Sequence, residues 1–244
     1  MKRRRLLALT FPLVLTIPTL LIIIPGRGQE DKQAAKTTRK TFDENRFPVA
    51  DYSALDSADP TERSKRQARG KKYNRSSWRV HPNSASDSMV RVDSVDPSLP
   101  AFPFKKSSVA VVGHVTDASA YLSNDKTGVY SVFTIQVTEV LKNSLKIPLT
   151  VASLIEAERE GGRVRFPSGR LHLYLINEQD MPRVGQRYVL FLTNTNEEPN
   201  LQIITGYELR EGKVYSLDNP PNTLKHENVD ELNFLSKLRE IANL

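Results

Sequence analysis

Cysteine is absent from this 244-residue chain. That removes disulfide scaffolds, thiolate metal sites, cysteine nucleophiles and a lipid-modified N-terminal cysteine together. Histidine is scarce, at four residues, and there is a single tryptophan, Trp78. Aromatics make up 7% and hydrophobic residues 39%, enough for a core but not for one that runs the whole length. Neither a Walker-type loop nor a dinucleotide-binding fingerprint is present, and no cofactor is expected.

What is there is unevenly spread. The formal charge of +7 divides into +4 for residues 1–26, +6 for 27–106 (17 bases, 11 acids) and −3 for 107–244 (14 bases, 17 acids). The basic character therefore belongs to the N-terminal half, and the part expected to fold is mildly acidic.

Lys2 and Arg3 to Arg5 precede Leu6 to Ile24, nineteen residues without a charge. This is the pattern of an export or membrane-insertion segment, assigned to residues 1–28. Its length suits a single-span anchor, whereas Pro12, Pro18 and the small residues of Gly26-Arg27-Gly28 suit a signal peptide cleaved before Gln29. Either way the basic end stays in the cytoplasm, so the rest is expected to be extracytoplasmic: periplasmic, secreted or membrane-anchored.

Between Arg27 and Lys106 only 15 of 80 residues are Val, Ile, Leu, Met, Phe, Tyr or Trp, against 50 of 138 from Ser107 onward. Residues 29–106 accordingly read as a disordered or low-order basic linker. Its Arg63-Ser64-Lys65-Arg66 and Lys71-Lys72 stretches form a solvated spacer or a contact with an anionic membrane or wall surface, and Trp78 is a local contact or a docking anchor onto the domain.

From Ser107 the hydrophobic pattern has period two. Val109, Val111, Gly113 and Val115 share one face of the first strand, and Val129, Phe133, Ile135, Val137 and Leu141 mostly share one face of the second. Further strands are expected at Leu149–Ile155, Arg163–Phe166, Leu171–Ile176, Arg187–Thr193, Leu201–Tyr207 and Val214–Leu217. The fold class is mainly β, with a small barrel over residues 107–218. Residues 219–244 form a connector and an amphipathic helix, with Leu232, Leu235, Leu238 and Ile241 on its apolar side and Asn228 with Glu231 as its capping pair.

Gly113-x-Val115 in the first strand, Glu139-Val140-Leu141-Lys142 closing the second, and Val184-Gly185-x-x-Tyr188-Val189-Leu190-Phe191-Leu192 resemble the OB-fold barrel of netrin-type modules, which tissue inhibitors of metalloproteinases share. The resemblance implies a five-stranded barrel in an exported protein. It does not carry protease inhibition, because that family's inhibitory edge depends on an N-terminal cysteine and disulfides. The stretch Arg159 to Arg170 is also similar to a segment of uncharacterised exported bacterial proteins, which implies no activity.

Signals for chemistry are few. The strand pattern allows His114 and His172 to face each other across strands, but without a third ligand they read as surface histidines rather than a metal site. Ser168, His172 and Asp180 carry the atoms of a nucleophilic triad, yet Ser168 sits in a Pro-Ser-Gly turn and not in a nucleophile elbow. Glu156, Glu158 and Glu160 alternate on one strand face, where Arg159, Arg163 and Arg165 stand close enough in sequence to neutralise them. No catalytic residue is assigned. The ligand-binding candidates are Arg159, Arg163, Arg165 and Arg170, four planar guanidinium groups within twelve positions; the competing reading is a hairpin whose outward arginines keep an edge soluble.

The function expected from these features is a non-enzymatic exported binding module for a protein, peptide or anionic glycan. The alternative is an envelope enzyme or inhibitor whose active edge carries no known motif. Nucleic acid is not an expected partner, because the folded part is acidic and lies outside the cytoplasm. Membrane contact is expected only through the N-terminal segment and the basic linker.

Overall fold

The computed structural model describes residues 46–74, 88–92, 96–194 and 201–242. The apolar segment assigned to residues 1–28, and Trp78, lie outside them. Among the described residues no helix is long and apolar enough to cross a membrane.

The longest pairing is antiparallel, between β3 (Val109–Leu122) and β4 (Val129–Asn143). Their connection is built by short polar side chains: Asp125 Oδ1 accepts from Thr127 N at 3.0 Å and from the hydroxyls of Ser123 and Thr127 at 2.7 Å, while Ser123 Oγ accepts from Gly128 N at 2.8 Å. Such side chains stand in for backbone partners that a tight turn lacks.

The protein is mainly β with a C-terminal helix. A seven-stranded sheet has the order β11-β10-β9-β5-β4-β3-β8, and β8 pairs in addition with β9. It comprises β3, β4, β5 (Leu154–Glu160), β8 (Arg187–Asn194), β9 (Leu201–Arg210), β10 (Lys213–Ser216) and β11 (Val229–Asp230). All its pairings are antiparallel except β5 with β9. A second sheet has the order β1-β6-β7-β2, with the β6 (Gly162–Arg165) and β7 (Leu171–Ile176) hairpin at its centre, and β1 (Val49–Asp51) and β2 (Ser88–Val92) added in parallel on its two sides. The chain passes between the sheets at Gly161 and Gly162, whose φ values are +109° and +143°. A Cβ on Gly161 would meet Met181 Cε at 2.6 Å and Tyr174 O at 2.8 Å, so only glycine makes this crossing.

Alternation along the strands sorts the apolar residues onto two faces. One face, with Val111, Val115, Phe133, Ile135 and Leu190, packs with Leu173 and Leu175 of β7 into the main core. The other, with Ala110, Val112, Val189, Phe191 and Tyr207, receives helix α3 (Glu231–Ala242) through Phe234, Leu235 and Leu238. Leu232, expected on that apolar side, is 75% exposed. A repeat of three residues drifts round a helix of 3.6 residues per turn, and Phe234 takes the inward place. The N-cap is Asp230, whose Oδ1 accepts from Asn233 N at 3.0 Å, rather than the expected Asn228–Glu231 pair; Asn228 has φ +61° and Glu231 binds Arg187.

The low-order linker expected over residues 29–106 needs correcting where it is described. It supplies β1, β2 and helix α1 (Pro60–Lys72), and it buries Phe47, Ala50, Tyr73, Leu99 and Phe104. Phe47, Ala50, Tyr73 and Phe104 each insert into a core made mainly by later residues, which a count of apolar residues along the sequence cannot register. The domain boundary at residue 107 moves upstream accordingly.

Candidate functional site

Helix α1 has the sequence Pro-Thr-Glu-Arg-Ser-Lys-Arg-Gln-Ala-Arg-Gly-Lys-Lys, with almost nothing apolar to bury. Its ends are well specified. Asp59 Oδ1 accepts from Thr61 N at 2.9 Å, Pro60 opens the first turn beside Glu62, and Arg69, Lys71 and Lys72 crowd the last turn against the negative end of the dipole. Only Arg69 and Gly70 of the helix are buried.

The helix is held to the β4–β5 face by polar contacts. Lys65, Arg69 and Lys72 are spaced i, i+4, i+7 and so share one side of the helix; Glu156 and Glu158 are two apart on β5 and share one face of the strand. Glu156 Oε2 takes Lys65 Nζ at 2.9 Å and Arg69 Nη2 at 2.6 Å, while Glu158 takes Lys72 Nζ at 2.7 Å and lies 3.6 Å from Arg69 Nε. Asn124 Nδ2 donates to the Gln67 carbonyl at 2.9 Å, and the Tyr130 hydroxyl to the Arg66 carbonyl at 3.3 Å. Arg66 stands over the Tyr121 ring at 4.6 Å, and Tyr73, just past the helix, stacks on Tyr130 with centroids 4.7 Å apart.

At its closest approach, a Cβ on Gly70 would fall 2.2 Å from Asn124 Oδ1, so a larger residue there would displace the Asn124 side chain from the Gln67 carbonyl. The charges trapped under the helix alter their neighbours. Burial opposes ionisation of Glu156, but hydrogen bonds from Lys65 and Arg69 outweigh it and hold the carboxyl below its ordinary value. Burial, then the charge of Glu158, pushes the Tyr73 phenol up, out of the physiological range.

Beside α1 runs an open groove of about 1060 Å³. One wall is the small-residue stripe Thr61, Ser64 and Ala68; the other is Leu145, Ile147, Leu149 and Leu154 from the β4–β5 connection and the start of β5. Ile147 and Leu154 are 81% and 66% exposed.

The arginines singled out in the sequence do not form one cluster. Arg159 is buried on the opposite face of β5 from the glutamates, where its Nη2 meets Asp218 Oδ2 at 2.6 Å and its Nη1 donates to the Asp180 carbonyl at 2.7 Å. It is a structural cation and leaves the ligand-binding set, because exposing it would strand a buried carboxylate. Arg163 is half-buried on β6, and Arg165 and Arg170 are exposed around the β6–β7 turn. Nor do the neighbouring arginines neutralise Glu156 and Glu158, as expected from sequence proximity; bases of the distant α1 do so.

The remaining sequence candidates separate. His114 lies in the larger sheet opposite Gln136 and Arg187, whereas His172 lies in the smaller one opposite Val164 and Ser88. They do not face each other across strands. The buried His172 ring packs edge-on against Phe166 at 4.7 Å, Ser168 is exposed in its turn, and Asp180 pairs with Arg46. Among the described residues no group of three or more His, Asp or Glu is arranged to hold a metal ion.

The α1 seat was missed in the sequence, although its signals are present: an Asp-Pro start, an acid in the first turn and bases in the last. No family model matches the chain, and no curated protein matches it significantly in sequence.

Proposed function

We propose that the chain is an exported, non-enzymatic binding module built on an OB-like five-stranded barrel of the netrin type. The strand circuit β3-β4-β5-β9-β8, with β8 returning to β3 and β5 running parallel to β9, supports the barrel reading. In OB-folds the face of the second and third strands is the usual binding surface, and those strands here are β4 and β5. The observation that carries the reading is that this face is already engaged, by a helix that it holds through side-chain charge. The partner is a protein, peptide or anionic glycan; the Arg163, Arg165 and Arg170 hairpin is a second, anion-directed surface.

Two measurements test this. Alkaline phosphatase fused after Glu44 should be active if the domain is exported, and an inactive fusion alongside a working export control removes the localisation. Thermal melting of the chain with glycans and peptides should raise the midpoint where one binds. Turnover of a substrate at residues of the β4–β5 face would replace the binding-module reading with an enzymatic one.

A further inference from the structure

We propose that the β4–β5 face and the groove beside it are a docking surface for a basic amphipathic helix of a partner protein, with α1 as its internal, replaceable occupant. This deepens the binding-module reading, and rests on it for the existence of a partner.

The surface already holds a ligand of half this description. Glu156 and Glu158 select a helix with bases at i, i+4 and i+7, which α1 supplies as Lys65, Arg69 and Lys72. Two further contacts, from Asn124 and Tyr130, go to main-chain carbonyls of α1, and any helix in the same seat offers those. Glycine at position 70 leaves room for the Asn124 side chain, which a larger residue in the bound helix would have to move.

The other half is unfilled. Thr61, Ser64 and Ala68 fall within one stripe of α1, adjacent to the stripe of bases. They face a wall of Leu145, Ile147, Leu149 and Leu154 across the open groove, and Ile147 and Leu154 remain largely exposed. A helix with bulky apolar residues at those three places would cover leucine and isoleucine surface that α1 leaves in water, while reproducing every charged contact that α1 makes. Apolar burial is the favourable contribution α1 lacks, at about 25 cal/mol per Å². The fitting sequence therefore has apolar residues in place of 61, 64 and 68, bases at 65, 69 and 72, and a glycine at 70.

The test uses the full chain and labelled thirteen-residue peptides of the α1 sequence, read by fluorescence anisotropy. One peptide carries Thr61→Leu, Ser64→Leu and Ala68→Leu; a second carries those changes with Lys65→Glu, Arg69→Glu and Lys72→Glu. The leucine peptide should bind the full chain, and should bind a Lys65→Glu, Lys72→Glu chain roughly tenfold more tightly, because the competing α1 is repelled from Glu156 and Glu158. Leu154→Asp in the same chain should cost about tenfold. Should the charge-reversed chain fail to fold, Ala68→Pro, which breaks the hydrogen-bond ladder inside α1, takes its place.

Failure of the leucine peptide to bind either chain overturns the proposal. So does equal binding by the glutamate peptide, or affinity indifferent to the α1 substitutions or to Leu154→Asp. A wild-type chain that sediments as a dimer dissociated by Leu154→Asp would assign the surface to a second copy and overturn it too. A ligand found in the melting screen survives all of these failures, so the two readings are separable.

Discussion

Arg159 and Asp218 are sealed together, 2% and 1% exposed, with Nη2 and Oδ2 2.6 Å apart. The pair ties β5 to the turn after β10, and the same turn reaches Asp180, whose backbone N–H donates to Asp218 Oδ1 at 3.1 Å. Asp218→Ala should therefore lower stability by about 3–5 kcal/mol, since it leaves a guanidinium buried without its counter-charge. Replacing both partners, as Arg159→Met with Asp218→Leu, should cost clearly less. Denaturant melts of the three chains check this; a single variant no worse than the double would show that the charge is hydrated.

Helix α1 should come away from the sheet before anything else does. At about 1 M salt the Debye length falls to roughly 3 Å from about 10 Å at 0.1 M, weakening the half-buried Lys65 contact more than the buried Arg69 and Glu158 ones. Hydrogen exchange at Ser64 to Lys72 should accelerate with salt while amides of β3 and β4 do not. Uniform exchange across all three elements would mean that α1 is part of the global folding unit.

Acid should release the same helix. Glu156 has its carboxyl held below the ordinary value by Lys65 and Arg69, so its contribution is complete above the unfolded value of about 4.3 and is lost as pH falls through the folded one. Exchange at α1 should thus rise below about pH 4, and Glu156→Gln should remove most of that pH dependence. A helix whose protection is unchanged in the variant and in acid would place its attachment elsewhere.

Around the β6–β7 turn the expectation is the reverse. Arg165→Gln and Arg170→Gln together should shift stability only slightly, by about 0.5 kcal/mol or less for each exposed change, and with the half-buried Arg163→Gln added should remove affinity for a sulfated glycan at low salt. Intact affinity in the triple variant would leave the arginines as guardians of a soluble edge.

The sequence carried the period-two strands in part: Val109, Val111 and Val115, and Phe133, Ile135 and Val137, meet the main core together, whereas Val129 and Leu141, expected on the same face as Phe133, pack in other clusters. It misplaced the strand that matters most. Leu149 to Ile155 looked like a strand because it is apolar, yet much of it is an exposed connection, and the true β5 continues through Glu156-Ala157-Glu158-Arg159-Glu160. Alternating acids and bases read as a solvated surface unless their partners are known, and the partners sit about ninety residues upstream at Lys65 and Arg69 and about sixty downstream at Asp218. Local pattern cannot report an ion pair of that span. Arg159 was misgrouped for the same reason: nearness in sequence placed it with Arg163, and the strand's alternation sent it inward.

The parallel placement of β1 and β2 on either side of the β6–β7 hairpin has a consequence for biogenesis. Val49 pairs with Arg163, and Ser88 with His172, so both early strands leave the ribosome with their docking edges unsynthesised. Until the hairpin has appeared between them they can pair only with something else, and a chain arrested before Ile176 would present two orphan strands to whatever chaperone or protease is at hand. Completion of the smaller sheet is therefore a late event in which the beginning of the domain waits for its middle.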